Sequence, residues 1–160
     1  MRGKVALIAG GSRGLGLLIA RELGRHGAQV VLAANGIDAS VLVADVGSGA
    51  DADRIVADVV QQHGRIDVLI NNAGVIQAGP VDRMSLADFD EAMAVHFWAP
   101  LRTMRAAIPH MRRQGGGRIV NVSSIGGKVA VPHLVPYCAS KFALTGLSTA
   151  MRRSSFATTS

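Results

Sequence analysis

With 160 residues, 49% of them hydrophobic and 18% charged, the chain has enough apolar material for one buried core and little length for a second domain. Its formal charge of +6 is unevenly placed, since all 11 acidic residues lie at or before Glu91 and the residues from Ala92 onward carry only cations. The longest uncharged run, Val68 to Val81, is interrupted by Gly74, Gly79 and Pro80 and is too short to cross a bilayer, and the single cysteine, Cys138, excludes an internal disulfide or a cysteine metal cage.

In chain order, Lys4 to Ala9 reads as a first strand, and the apolar stretch it carries is too short for an export signal, so the reducing cytoplasm is the expected compartment. A helix follows from Gly14 to His26, with Gly27 placed to end it, and then a second strand over Gln29 to Ala33. The third strand, Val41 to Ala44, comes after only six residues, Asn35 to Ser40. That is too few for a crossover helix, so its orientation stays open between parallel and antiparallel. A helix over Ala50 to His63 ends at Gly64, and a fourth strand spans Asp67 to Asn71. One long helix is expected over Leu86 to Arg113, kinked at Pro100, before a fifth strand at Arg118 to Val122. A last helix starts near Pro136 and fades around Arg153. The alternation predicts an α/β fold, doubly wound, with a mostly parallel sheet of about five strands and helices on both faces. The domain is expected over residues 1–153, with 154–160 a polar tail.

Chemistry enters where the first strand runs into Gly10-Gly11-Ser12-Arg13-Gly14-Leu15-Gly16 and then directly into a helix. Glycines there let a phosphate approach backbone N–H groups at the positive end of the helix, although a tight turn without a ligand has the same glycines. Arg13 sits in the turn, and the second strand ends in Leu32-Ala33-Ala34-Asn35 with no carboxylate to hold a ribose 2′-hydroxyl. A cation without an anion favours NADP(H) over NAD(H).

Tyr137 and Lys141 lie four residues apart on one helical face, and Ser124 closes the segment after the fifth strand, at the carboxyl edge where such sheets bind ligands. A phenol, with a reference pKa near 10, needs a neighbouring cation to act as a base near neutrality, and Lys141 can supply it. Ser124 can donate a hydrogen bond to a substrate oxygen while Tyr137 exchanges a proton with it.

Together, Ala9-Gly-Gly-Ser-Arg-Gly-Leu-Gly16, Asn71-Asn-Ala-Gly74, Ser124 and Tyr137-Cys-Ala-Ser-Lys141 resemble the classical short-chain dehydrogenase/reductase family, from Lys4 to about Arg152. The resemblance implies a Rossmann-like fold and an NAD(P)(H)-dependent oxidoreductase that interconverts an alcohol and a carbonyl. Ser124 would polarise the carbonyl, Tyr137 act as acid and base, and Lys141 bind the nicotinamide ribose. Gly10, Ser12, Arg13, Gly14, Leu15 and Gly16 would bind the cofactor, with Arg13 near the ribose. Asp45 would contact the adenine, and Asn72, Ala73 and Gly74 would line the cofactor. It also implies dimers or tetramers built on the fourth and fifth helices.

The sequence departs from the family at several points. His96 stands where an asparagine is usual, and Pro100, four residues later, cannot donate to its carbonyl; the backbone there can keep a water site, and the imidazole, able to titrate near neutrality, is a candidate for the proton relay, with a helix-packing histidine the favoured alternative. The helix between the second and third strands is missing. The family also continues beyond the fifth helix, so the fifth strand is expected at an exposed edge.

Two other readings compete. One is a non-catalytic dinucleotide binder. The other, a basic nucleic-acid module, is disfavoured because the cations lack interleaved aromatics. No histidine spacing suggests a metal site, and Val75, Ile76, Val129, Val131 and Leu134 are the candidate apolar lining for a small-molecule substrate.

Overall fold

A computed structural model describes residues 1–34, 41–44 and 48–155. Five strands form one sheet: β1 (Val5–Ala9), β2 (Gln29–Ala34), β3 (Val41–Val43), β4 (Val68–Asn71) and β5 (Arg118–Asn121). Their order is β3-β2-β1-β4-β5 and every neighbouring pair is parallel. β3 is therefore parallel to β2, which settles the orientation the sequence left open. The connection over residues 35–40 lies outside the described residues.

β1 is central and buried along its whole length, as the uninterrupted apolar run Val-Ala-Leu-Ile-Ala requires of a strand covered on both faces. On one face α2 (Gly49–His63) and α4 (Ala99–Arg113) build the larger core, where Leu7, Ile55, Val59, Leu69, Met104 and Met111 meet. Leu147 and Met151 of α5 (Val135–Ser155) pack against that core too. On the other face α1 (Gly14–Arg25) covers Ile8 and Ile70 through Ala20, Ile19 and Leu23. Its cover does not extend across β5, the edge strand, where Val120 stays 46% exposed.

The predicted long helix is interrupted. Ser85 and Asp88 form a reciprocal capping box at the start of α3 (Leu86–Met93), and Ala94–Trp98 then adopt a π-helical turn before α4 begins. Pro100 lacks the N–H that would reach the carbonyl of His96 and its ring crowds that carbonyl, so the preceding turn widens. α5 likewise runs past its expected end at Arg153, through Ser155, so the boundary placed at 153/154 falls inside a helix; residues 156–160 lie outside the described residues.

At the amino edge of the sheet Asp67 ties β1 to β4. Its carboxylate accepts hydrogen bonds from the Val5 N–H (2.9 Å), Lys4 Nζ (3.0 Å) and the Arg65 guanidinium (2.7 Å). The Arg65 hydrogen bonds, assisted by those from Val5 and Lys4, hold this carboxyl well below the usual carboxylate range. At the carboxyl edge the strand order reverses direction between β1 and β4. The chain leaves those two strands on opposite sides, opening the crevice in which doubly wound sheets bind ligands.

Candidate active site

β1 ends in that crevice at Gly10, whose φ of +78° suits glycine, and its N–H donates to the Ala33 carbonyl (2.8 Å). A Cβ on Gly10 would come within 2.6 Å of the Ala73 backbone, and one on Gly16 would collide with the Gly10 carbonyl and lie 2.6 Å from Asn72 Nδ2. Asn72 closes the arrangement by donating from Nδ2 to the Gly10 carbonyl (2.7 Å). The turn after β1 and the loop after β4 are thus pressed together at positions where any side chain would force them apart.

α1 starts in this turn with no side chain capping its free N–H groups and no acid in its first turn. Its positive end therefore keeps its capacity for an anion. Ser12 is half-buried, while Arg13, Gly14 and Leu15 are exposed at the mouth. A cradle that a Cβ would fill, next to an uncapped helix start, fits the pyrophosphate of a dinucleotide. Asp45, expected at the adenine, lies outside the described residues.

The second half of the site comes from β5 and α5. Lys141, 4% exposed, donates from Nζ to the Val122 carbonyl just beyond β5 (2.8 Å), and the same nitrogen lies 5.8 Å from the centroid of the Tyr137 ring. Burial pushes the Lys141 ammonium below its ordinary pKa. Ser124 caps a short 3₁₀ turn, Ile125–Gly127, by accepting the Gly126 N–H on Oγ (3.2 Å). The Tyr137 ring packs on this turn so closely that a Cβ on Gly126 would sit 3.1 Å from Tyr137 Cε1. The structure therefore brings Ser124, Tyr137 and Lys141 together at the same sheet edge as the glycine turn. Beside them, the Gly79 N–H donates to the His133 carbonyl (2.9 Å), joining the loop that carries Val75 and Ile76 to the one that carries Val129, Val131 and Leu134.

The His96 ring is buried and stands edge-on to Tyr137, with centroids 5.4 Å apart at 90°. Nε2 faces the Val75 N–H (3.1 Å) and Nδ1 faces Ser140 Oγ (2.8 Å). Burial, with the Lys141 charge adding to it, lowers the imidazole pKa to about 4. With both ring nitrogens hydrogen-bonded and the neutral form favoured, the surroundings of His96 fit the packing histidine weighed beside the relay role better than a group that titrates near neutrality.

Three features escaped the sequence reading. Asn71 and Asn121 are register partners on β4 and β5, and Asn71 Nδ2 donates to Asn121 Oδ1 (2.8 Å). Thr103 of α4 donates to Asn71 Oδ1 (2.9 Å), and Asn121 donates to Ser148 of α5 (2.9 Å), so a polar ladder braces the strands that lead into the site. Gly126 and Ser140 complete the set. Matching asparagines at the ends of two strands were the only available signal, since the others depend on which elements meet in space.

Residues 4–158 match the family model for short chain dehydrogenases. The chain belongs to the short-chain dehydrogenase family. It is 36% identical to a Thermotoga maritima oxidoreductase described as uncharacterized, over 92% of this chain and 64% of the relative. It is also 36% identical to gluconate 5-dehydrogenase of Gluconobacter oxydans, over 94% of this chain and 65% of the relative. The crystal structure of a metagenomic short-chain oxidoreductase in complex with NADP superposes with a TM-score of 0.89 at 37% identity, over 94% of this chain and 75% of that one. The Rossmann-like architecture is that of the family, and the chain spans just under two thirds of the length of the two relatives. Among the described residues no helix is long and apolar enough to cross a membrane, and no three His, Cys, Asp or Glu side chains gather as a metal site would need.

Proposed function

We propose that this chain carries the nucleotide-binding and proton-handling parts of an NADP(H)-dependent oxidoreductase acting on a small or medium, largely apolar alcohol or carbonyl compound. The observation that carries the reading is the seating of Tyr137 between the Ser124 turn and the Lys141 ammonium, at the sheet edge that also holds the glycine cradle. Gly10, Ser12, Gly14, Leu15 and Gly16 hold the pyrophosphate, and Arg13 at the mouth meets a ribose 2′-phosphate. Asn72, Ala73 and Gly74 form the facing wall, and Asp45 is assigned to the adenine.

The nicotinamide, when bound, supplies or takes the hydride. Ser124, whose oxygen accepts the Gly126 N–H, retains its hydroxyl proton to donate to the substrate oxygen. Tyr137 gives a proton to that oxygen during reduction and takes it back during oxidation, help of a kind worth roughly 10²- to 10⁴-fold. Lys141 has three ammonium protons, one of them on Val122; the remaining two are available to a ribose hydroxyl. Val75, Ile76, Val129, Val131 and Leu134 surround the substrate carbon chain.

The test is fluorescence titration with NADPH followed by a screen of carbonyl substrates, on the unmodified chain and on Tyr137→Phe. NADPH binding with turnover that falls at least about 100-fold in Tyr137→Phe, at unchanged melting temperature, is the expected result. Equal turnover in the variant would refute the mechanism, and NADPH binding without turnover would leave a nucleotide-binding protein in place of an enzyme.

A further inference from the structure

The hydrogen bonds around His96 have a fixed direction. The Val75 N–H can only donate, so Nε2, 3.1 Å away, must present its lone pair. A neutral imidazole then carries its proton on Nδ1 and donates it to Ser140 Oγ at 2.8 Å. Ser140, with its oxygen occupied as an acceptor, sends its own proton to the carbonyls of Pro136 (2.8 Å) and Tyr137 (2.9 Å) in the first turn of α5. The approach is close: Gly74 has no Cβ, and one placed there would stand 3.3 Å from Nε2. Ser140 and His96 are both essentially inaccessible to solvent, so water cannot replace either bond.

The segments joined this way are the two halves of the proposed site. Val75 directly follows Asn72–Gly74, which lean on the glycine turn, and Ser140 lies between Tyr137 and Lys141 on α5. The π-helical turn at Ala94–Trp98 supplies the side chain that spans them.

We infer that His96, held as the neutral Nδ1–H tautomer, is a positioning residue that acts through Ser140 to fix the Tyr137–Lys141 turn of α5 against the nucleotide-side loop after β4. This deepens the oxidoreductase reading and rests on it for its purpose, though the tautomer and the mechanical link stand on hydrogen bonds alone.

The test uses two variants that each cut one end of the link. His96→Gln places an acceptor near the position of Nε2, keeping the Val75 contact and losing Ser140. Ser140→Ala removes only a hydroxyl and disturbs packing least, which guards against loss of folding. In the unmodified chain, nitrogen NMR of the imidazole at pH 7 is expected to show a protonated Nδ1 and a bare Nε2; a protonated Nε2 overturns the inference. In both variants the titration of the Lys141 ε-carbon signal is expected to move, reporting a displaced ammonium. Lowered melting temperature with an unmoved Lys141 titration would mean that the pair merely supports folding, which also overturns it. With turnover established, both variants should lose roughly 10- to 100-fold in kcat, a larger loss than in NADPH affinity, as expected of misplaced reacting groups. If the unmodified chain fails to bind NADPH, the oxidoreductase reading falls, while the tautomer and the Lys141 signal still decide the link.

Discussion

Two alanine substitutions in one turn separate steric closure from backbone strain. Gly14 has φ +54° and open space where a Cβ would stand, so Gly14→Ala meets only the left-handed penalty, about 1 to 2 kcal/mol. Gly16 has no such positive φ, but its added Cβ would strike the Gly10 carbonyl and crowd Asn72 Nδ2, the donor of the 2.7 Å bond to that carbonyl. Relieving the clash costs roughly 1 to 3 kcal/mol as overpacking, and loosening the Asn72 bond costs about 1 more. Alanine's higher helix propensity returns about 1 kcal/mol. The net for Gly16→Ala is therefore about 1 to 3 kcal/mol, a fall in melting temperature of roughly 2 to 12 °C for a chain of this size. Stability alone does not distinguish the two variants cleanly. Nucleotide affinity does, because Gly16→Ala pushes the turn after β1 away from the loop after β4 and spoils the cradle itself. In a fluorescence titration, NADPH should bind at least about tenfold more weakly to Gly16→Ala, equivalent to roughly 1.4 kcal/mol, and within a few-fold of normal to Gly14→Ala. Unaltered affinity in Gly16→Ala, or a larger loss in Gly14→Ala, would refute the assignment of this turn as the phosphate cradle.

Asp67→Asn should lower stability by about 1 to 3 kcal/mol at neutral pH, chiefly by weakening the bond to the buried Val5 N–H, since Lys4 and Arg65 are partly exposed and can be resolvated. Because the Asp67 carboxyl is depressed in the fold, its contribution is present above the ordinary carboxylate pKa and is lost as pH falls toward the folded value. Urea unfolding between pH 3 and 7 should accordingly show a shallower acid loss in the variant. For His96 the folded pKa is about 4 against an ordinary 6.5, so the unfolded chain binds the extra proton first and stability falls as pH drops from about 6.5 to about 4. The whole interval is worth about 3 kcal/mol. The stability difference between the unmodified chain and His96→Gln should shrink by that order across the interval, and a difference independent of pH would contradict the buried neutral imidazole.

Sequence alone determined the elements whose signals are local. Glycine turns, apolar runs and helix spacing placed all five strands and most helix ends within a residue or two, since a doubly covered strand must be apolar throughout and a helix end needs glycine or a cap. The same locality made Tyr137 and Lys141 legible as a pair, because four residues in a helix place two side chains on one face. Tertiary structure decided what depends on elements distant in the chain. The orientation of β3 follows from its pairing with β2, and the π-helical turn resolves how Pro100 interrupts the long helix. The polar ladder from Thr103 through Asn71 and Asn121 to Ser148 exists only because β4 and β5 are in register. His96 shows the division most clearly. Its residue type left proton relay and helix packing both open, and only the fold supplies what favours the neutral, packed form: burial beside Lys141 and the bonds to Val75 and Ser140, which lie 21 positions before it in the hydrogen-bonded loop and 44 after it in the facing helix.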